Sequence, residues 1–176
     1  MDTRSFEVID GSGFLAIVDP DTYEAFVAEE WTFAQLELHF RTQMAAECML
    51  IWDTSRPDTW EVRVCFSSTG ARGLREVVGP IVTTQGRLLL TSFDSLSMAA
   101  QFADVTLPES HEADQVLIIP AGKYYCRVVQ NCTPGVFVED TKPQEGADFV
   151  IELIQGGESL QPWKGIPWWR REQFVS

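Results

Sequence analysis

Two apolar, β-branched-rich stretches in the middle of the chain, each broken once by a glycine-containing turn, limit what this sequence can fold into. Leu74 to Thr84 is followed by Gln85-Gly86 and then by Arg87 to Phe93. Val116 to Ile119 is followed by Pro120-Ala121-Gly122-Lys123 and then by Tyr124 to Gln130. Runs of this composition joined by short turns predict two β-hairpins. Four such strands leave one apolar face wet unless a second layer covers it.

The flanking sequence supplies that layer. Ser5 to Asp10 and Phe14 to Val18 predict two strands around the turn Gly11-Ser12-Gly13. Asp19-Pro20 predicts a helix start, and Tyr23, Phe26 and Val27 predict the inward face of a helix running to about Glu29. Thr32 and Gln35 have capping-box spacing, so a second helix is expected from Phe33 to about Thr42. Cys48 to Trp52 is continuously apolar, whereas Trp60 to Phe66 alternates; together they predict a third hairpin with one wet face. Asp94 predicts the cap of a short helix carrying Met98 and Phe102 on one face, although a strand also fits there. Residues 135–138 and 148–154 predict the last two strands. The expected architecture is a mainly β, antiparallel β-sandwich of about eight or nine strands with one or two helices near residues 20–42. All 176 residues are expected to form one domain, long enough to bury about 70% of the unfolded surface.

The formal charge of −13 excludes more than it identifies. Such a surface repels the phosphate backbone of nucleic acid and an anionic membrane. No run reaches the roughly 20 apolar residues that span a bilayer, and no signal peptide is read at the N-terminus, so a cytoplasmic protein is expected. Acids concentrate in residues 103–158, with ten acids against three bases. Cys48, Cys65, Cys126 and Cys132 form no CxxC pair and only His39 and His111 accompany them. Buried, reduced thiols are expected, with no metal site and no cofactor.

Catalytic signatures are missing. There is no G-x-S-x-G elbow, P-loop or dinucleotide fingerprint, and neighbouring acids such as Glu29-Glu30 diverge on any regular element. An enzyme built on a carboxylate pair remains a lesser alternative. A ligand-binding sandwich is another, using the Trp163–Arg171 segment to stack on a sugar or peptide; the same tryptophans would otherwise cap an open end of the sandwich.

Gly86, Leu88 and Leu90, followed by Pro120, Gly122 and Tyr124, resemble the "G-x-L-x-L" and "P-x-G-x-Y" features of the competence-nuclease inhibitor family. Asp19, Pro20, Tyr23, Phe26 and Trp31 are similar to segments of bacterial polymorphic-toxin immunity proteins. The resemblance implies a cytosolic antidote that binds a secreted toxin, a nuclease or deaminase with a basic cleft, and blocks its active site without being an enzyme itself. With the charge pattern, it points to Glu109, Glu112 and Asp114 as partner-binding residues, and to Glu139 and Asp140 as a second patch.

Overall fold

A computed structural model of the protein describes residues 3–134 and 146–169. The strands in chain order are β1 (Thr3–Asp10), β2 (Phe14–Val18), β3 (Met49–Asp53), β4 (Asp58–Cys65), β5 (Arg75–Thr83), β6 (Arg87–Ser92), β7 (Val116–Ile118), β8 (Gly122–Gln130) and β9 (Phe149–Gln155). Two helices, α1 (Phe33–Ala45) and α2 (Phe93–Gln101), and a 3-10 helix at Ser110–Gln115 complete the described elements. The strands form a five-stranded sheet in the order β1-β4-β9-β8-β5 and a four-stranded sheet in the order β3-β2-β6-β7. Every pairing is antiparallel except β4 with β9. The chain is therefore the β-rich two-sheet fold its sequence predicts.

Its connectivity is not the predicted one. None of the three expected hairpins forms. Each short turn instead carries the chain from one sheet to the other: β3 to β4, β5 to β6 and β7 to β8 all change sheet, as does β1 to β2. Burial explains why. β2 and β3 are buried at every position, while β1 and β4 alternate between buried and exposed. A strand dry on both faces needs cover on both; β2 and β3 lie in the sheet that the helices cover, whereas β1 and β4 turn a wet face to solvent. The turns follow suit. Gly86 has φ +75° and packs on the next sheet-changing turn, where a Cβ would lie 2.7 Å from the Ile119 carbonyl oxygen. The Ile119 N–H donates to the Gly86 carbonyl at 2.9 Å, so the two turns brace each other.

Between the sheets Trp52, Trp60 and Phe149 anchor the main core, with Trp60 and Phe149 edge to face at 5.2 Å. A second core lies between the four-stranded sheet and its helical cover, where Phe40, Met44 and Leu96 meet Phe14, Met49 and Leu89. That cover is why β2 and β3 have no polar face. The four cysteines are free and buried, and burial pushes the Cys48 thiol up to about 11 and the Cys126 thiol to about 12.

α1 begins as the sequence predicts. The Thr32 hydroxyl accepts from the Gln35 N–H at 3.2 Å and the Gln35 side chain accepts from the Thr32 N–H at 2.8 Å. Thr32→Ala is expected to lower stability by about 1 kcal/mol, read by urea denaturation; an unchanged midpoint would mean the cap is replaced by water.

The helix expected from Pro20 to Glu29 does not form. Asp19 starts only one turn, accepting from the Asp21 N–H and the Thr22 hydroxyl, because its carboxylate also holds the Thr84 N–H and hydroxyl at 3.0 and 2.9 Å. The chain then runs as a strap whose Val27 and Ala28 N–H groups donate to the Ala100 carbonyl at the end of α2. α2 forms, but Asp94 does not cap it. Its carboxylate accepts from the Gly11 N–H at 2.7 Å and the Ser12 hydroxyl at 2.6 Å, holding the β1–β2 corner. The buried face of α2 is Leu96, Ala99 and Ala100, and Met98 and Phe102 face outward. The strand expected at residues 135–138 lies outside the described residues.

Candidate functional site

The acids divide into two populations. Asp10, Asp19, Glu37, Asp53, Glu112, Asp148 and Glu152 are buried and hold the molecule together. Asp148, for example, accepts from the Glu61 N–H at 2.9 Å. Burial raises the carboxyls of Asp10 and Asp53 above the ordinary aspartate value, and Asp10 adds a smaller upward push on Asp53. Among the described residues, Asp10 and Asp53 are thus one pair of carboxyls that sense each other. Both are already engaged: Asp53 accepts from the Ser55 N–H at 2.5 Å, and Asp10 is an acceptor throughout.

The predicted patch around residue 110 is only partly a surface. Glu112 is buried; its carboxylate accepts from the Thr91 hydroxyl and from the Glu109 N–H at 3.1 Å. It is a brace between β6 and the 3-10 helix, and the expectation of an accessible Glu112 is corrected. Glu109 is half-buried with its carboxylate 3.3 Å from the His111 imidazole, and Asp114 is exposed. Glu139 and Asp140 lie outside the described residues.

Two open grooves mark the ends of α2. Beside its N-terminal end, Ser5, Glu7, Ile9, Asp94, His111 and Asp114 border a groove of about 540 Å³ that runs along β1, an edge strand. Ile9 is 72% exposed there. Beside its C-terminal end, Phe26, Phe102, Glu29, Glu30 and Asp104 border a groove of about 610 Å³. Phe26 and Phe102 are 47% and 42% exposed. Large aromatic groups standing in water within a ring of carboxylates are the composition of an interface, not of a core. Sequence periodicity assigned Phe26 to a buried face and so missed this surface.

The tryptophan-rich segment is occupied by the chain itself. The Trp163 indole N–H donates to the Val78 carbonyl at 2.7 Å, above Gly79, where a Cβ would lie 2.5 Å from the indole nitrogen. Trp168 carries the Arg75 guanidinium at 4.2 Å, and Trp169 packs on Phe33 at 5.3 Å. The segment closes over both cores, as a cap would. His39 packs beside Tyr23 at 5.6 Å, and burial holds its imidazole below the usual value. Among the described residues no group of three or more His, Cys, Asp or Glu is arranged to hold a metal, and no helix is long and apolar enough to cross a membrane.

The two-sheet core, the sheet-changing turns and the helical cover on one sheet define a class of β-sandwich. Two solved structures resemble this fold over nearly their whole length. One, described as crocagin biosynthetic gene J, matches with a TM-score of 0.58 at 18% identity, over 88% of this chain and 99% of that one. The other is ComJ of Bacillus subtilis, described as an inhibitor of the DNA-degrading activity of NucA, with a TM-score of 0.50 at 10% identity over 87% and 96% of the two chains. At these identities the likeness is one of fold. No family model and no curated protein matches the chain.

Proposed function

We propose that this chain is an inhibitor-type immunity protein that covers the basic substrate cleft of a toxic nuclease or deaminase. The observation that carries the reading is the exposed pair Phe26 and Phe102 ringed by Glu29, Glu30 and Asp104. Aromatic anchors supply most of the affinity at such contacts, and the charges around them supply rate and selectivity. Both aromatic side chains stand beside the C-terminal end of α2. Asp114 and Glu109 extend the acidic surface at the other end of this helix. Its length of roughly 13 Å lets both ends fall within one interface of standard size, about 800 Å² per partner. Carboxylates presented in this way imitate the phosphates that a nuclease cleft binds. The fold shared with ComJ is compatible with that role.

The test is titration of candidate nuclease and deaminase toxins with the purified protein, beginning with any encoded beside its gene. Stoichiometric inhibition is expected, with association slowing as salt rises. Glu29→Lys, Glu30→Lys and Asp104→Lys together are expected to weaken binding by about tenfold or more, mainly through the on-rate. Affinity unchanged by the triple reversal would remove this surface from the interface. Turnover of a metabolite or polymer by the purified protein alone would remove the inhibitor reading.

A further inference from the structure

A third cavity shares no residue with either groove and has the opposite character. Side chains alternate along a strand, so those in line with the core on β1, β4, β8 and β9 continue towards the ends of these strands. Arg4 shares a face of β1 with Phe6 and Val8, which pack in the main core. Phe66 follows Trp60, Val62 and Val64 in the same register, Leu153 follows Phe149 and Ile151, and Tyr124 precedes Cys126 and Val128. With Ile119 and Gln155 these side chains border an opening of about 710 Å³ at the end of the sandwich. That volume lies within the range of small-molecule sites.

The chemistry of this opening is amphipathic. Leu153, Ile119 and Tyr124 are buried members of the core and form its floor. The Tyr124 hydroxyl donates to the Pro120 carbonyl at 2.7 Å, so its polar end is satisfied and the ring is left as an apolar wall. Among the described residues bordering the cavity, Arg4 is the one that is charged, in a chain of net charge −13. None of the ion pairs among the described residues includes it. An exposed guanidinium over an apolar floor favours an amphiphile that inserts its chain and leaves an anionic head at the rim. A single cation in so acidic a protein balances a singly charged head better than a doubly charged one, and its planar fork matches a carboxylate.

We propose that the open end of the sandwich binds a linear alkyl carboxylate, its chain against Phe66, Tyr124, Leu153 and Ile119 and its carboxylate on Arg4. The site is independent of the inhibitor surface. The test is calorimetric titration of the purified chain with decanoate, decanol and decylamine. Decanoate is expected to bind saturably at one per chain and about tenfold more tightly than decanol, with decylamine weakest. Arg4→Gln is expected to bring decanoate down to the affinity of decanol while leaving decanol unchanged; Arg4→Lys, which keeps the charge without the fork, falls between. Circular dichroism of both variants checks that the fold is retained, which an exposed side chain at a strand end allows. Absence of saturable decanoate binding at millimolar concentration, equal affinity for decanoate and decylamine, or an Arg4→Gln variant that binds decanoate normally would each overturn the proposal.

Discussion

Replacing Asp10 by alanine is expected to lower the unfolding free energy by about 3–5 kcal/mol, one of the two largest losses a single substitution should produce here. Asp10 closes β1. One carboxylate oxygen accepts from the N–H groups of Ser12, Gly13 and Phe14 at 3.0, 2.7 and 3.1 Å. The other accepts from the Thr54 hydroxyl at 2.8 Å and the Trp60 indole at 2.9 Å. One side chain thereby ties the β1–β2 corner to the β3–β4 corner and to the central aromatic of the core. Alanine would leave these donors facing a buried gap, and each buried donor without a partner costs about 1–3 kcal/mol before relaxation and entering water recover part of it. Asp10→Asn should fall between the two, because its carboxamide keeps the backbone contacts but turns an N–H towards the indole N–H. Urea denaturation of the three proteins provides the measurement. A loss below about 1 kcal/mol for alanine would show that the corner is hydrated and that the carboxylate is dispensable.

Asp10 does not make the fold acid-sensitive. Burial outweighs the hydrogen bonds from Trp60, Thr54, Ser12 and Gly13, leaving its carboxyl above the ordinary value of 3.8. A raised carboxyl binds its proton more tightly in the folded chain than in the unfolded one. Its ionisation therefore opposes folding at neutral pH, and that opposition fades as pH falls through the raised value.

Strand positions were legible because they are written locally. The alternation of Trp60, Val62, Val64 and Phe66, and the capping box at Thr32 and Gln35, depend on residues within one element. Strand partners are not local, and turn length misled. Gln85-Gly86 is short enough for a hairpin, yet it carries the chain between sheets. Cys48 to Trp52 is continuously apolar and Trp60 to Phe66 alternates, a change of period across the turn that marks a change of cover between the two strands. The helix expected after Asp19 failed for a related reason. Its cap signal is real, but Thr84 and the Ala100 carbonyl compete for the same polar groups from far along the chain.

The site was less legible still. Net charge is visible in a composition, whereas the side of the surface on which each acid lies is not. Glu112 and Asp114 are two residues apart, and one braces the interior while the other meets water. Nothing in the local pattern separates them, since the distinction rests on Thr91 of β6 standing opposite Glu112. Arg4 shows the converse. Its strand was predicted, but its position over an apolar opening depends on β4, β8 and β9 ending at the same place.

Arg127→Met is expected to cost about 3–5 kcal/mol at neutral pH, and the loss should narrow on acidification. Glu152 is 2% exposed and Arg127 14% exposed. The Glu152 carboxylate accepts from Arg127 at 3.1 Å and from the Thr69 N–H and hydroxyl at 2.8 and 2.5 Å. Arg127 also donates to the Ala71 carbonyl at 2.6 Å and pairs with Glu76, so one guanidinium joins β5, β8, β9 and the loop after β4. Burial alone would raise the Glu152 carboxyl; the Thr69 contacts and Arg127 outweigh it and leave it below 4.5. A carboxyl lowered by folding contributes stability above its unfolded value, and that contribution is lost as pH falls through the folded one. Without Arg127, burial is opposed by Thr69 alone, the Glu152 carboxyl rises, and a charge without its cation sits in the sheet. Protonation relieves that cost, so wild type and variant should converge as pH drops from 7.5 towards 5, a range that stays above the pI of about 4.4. Methionine keeps most of the aliphatic volume, so packing contributes little to the difference. Adding Glu152→Gln to Arg127→Met should recover part of the loss at pH 7.5, since the carboxamide oxygen still accepts from Thr69 while the buried charge is gone. An equal loss at both pH values, with no recovery in the double variant, would place the cost in the lost Ala71 and Glu76 contacts or in packing, and not in the stranded carboxylate.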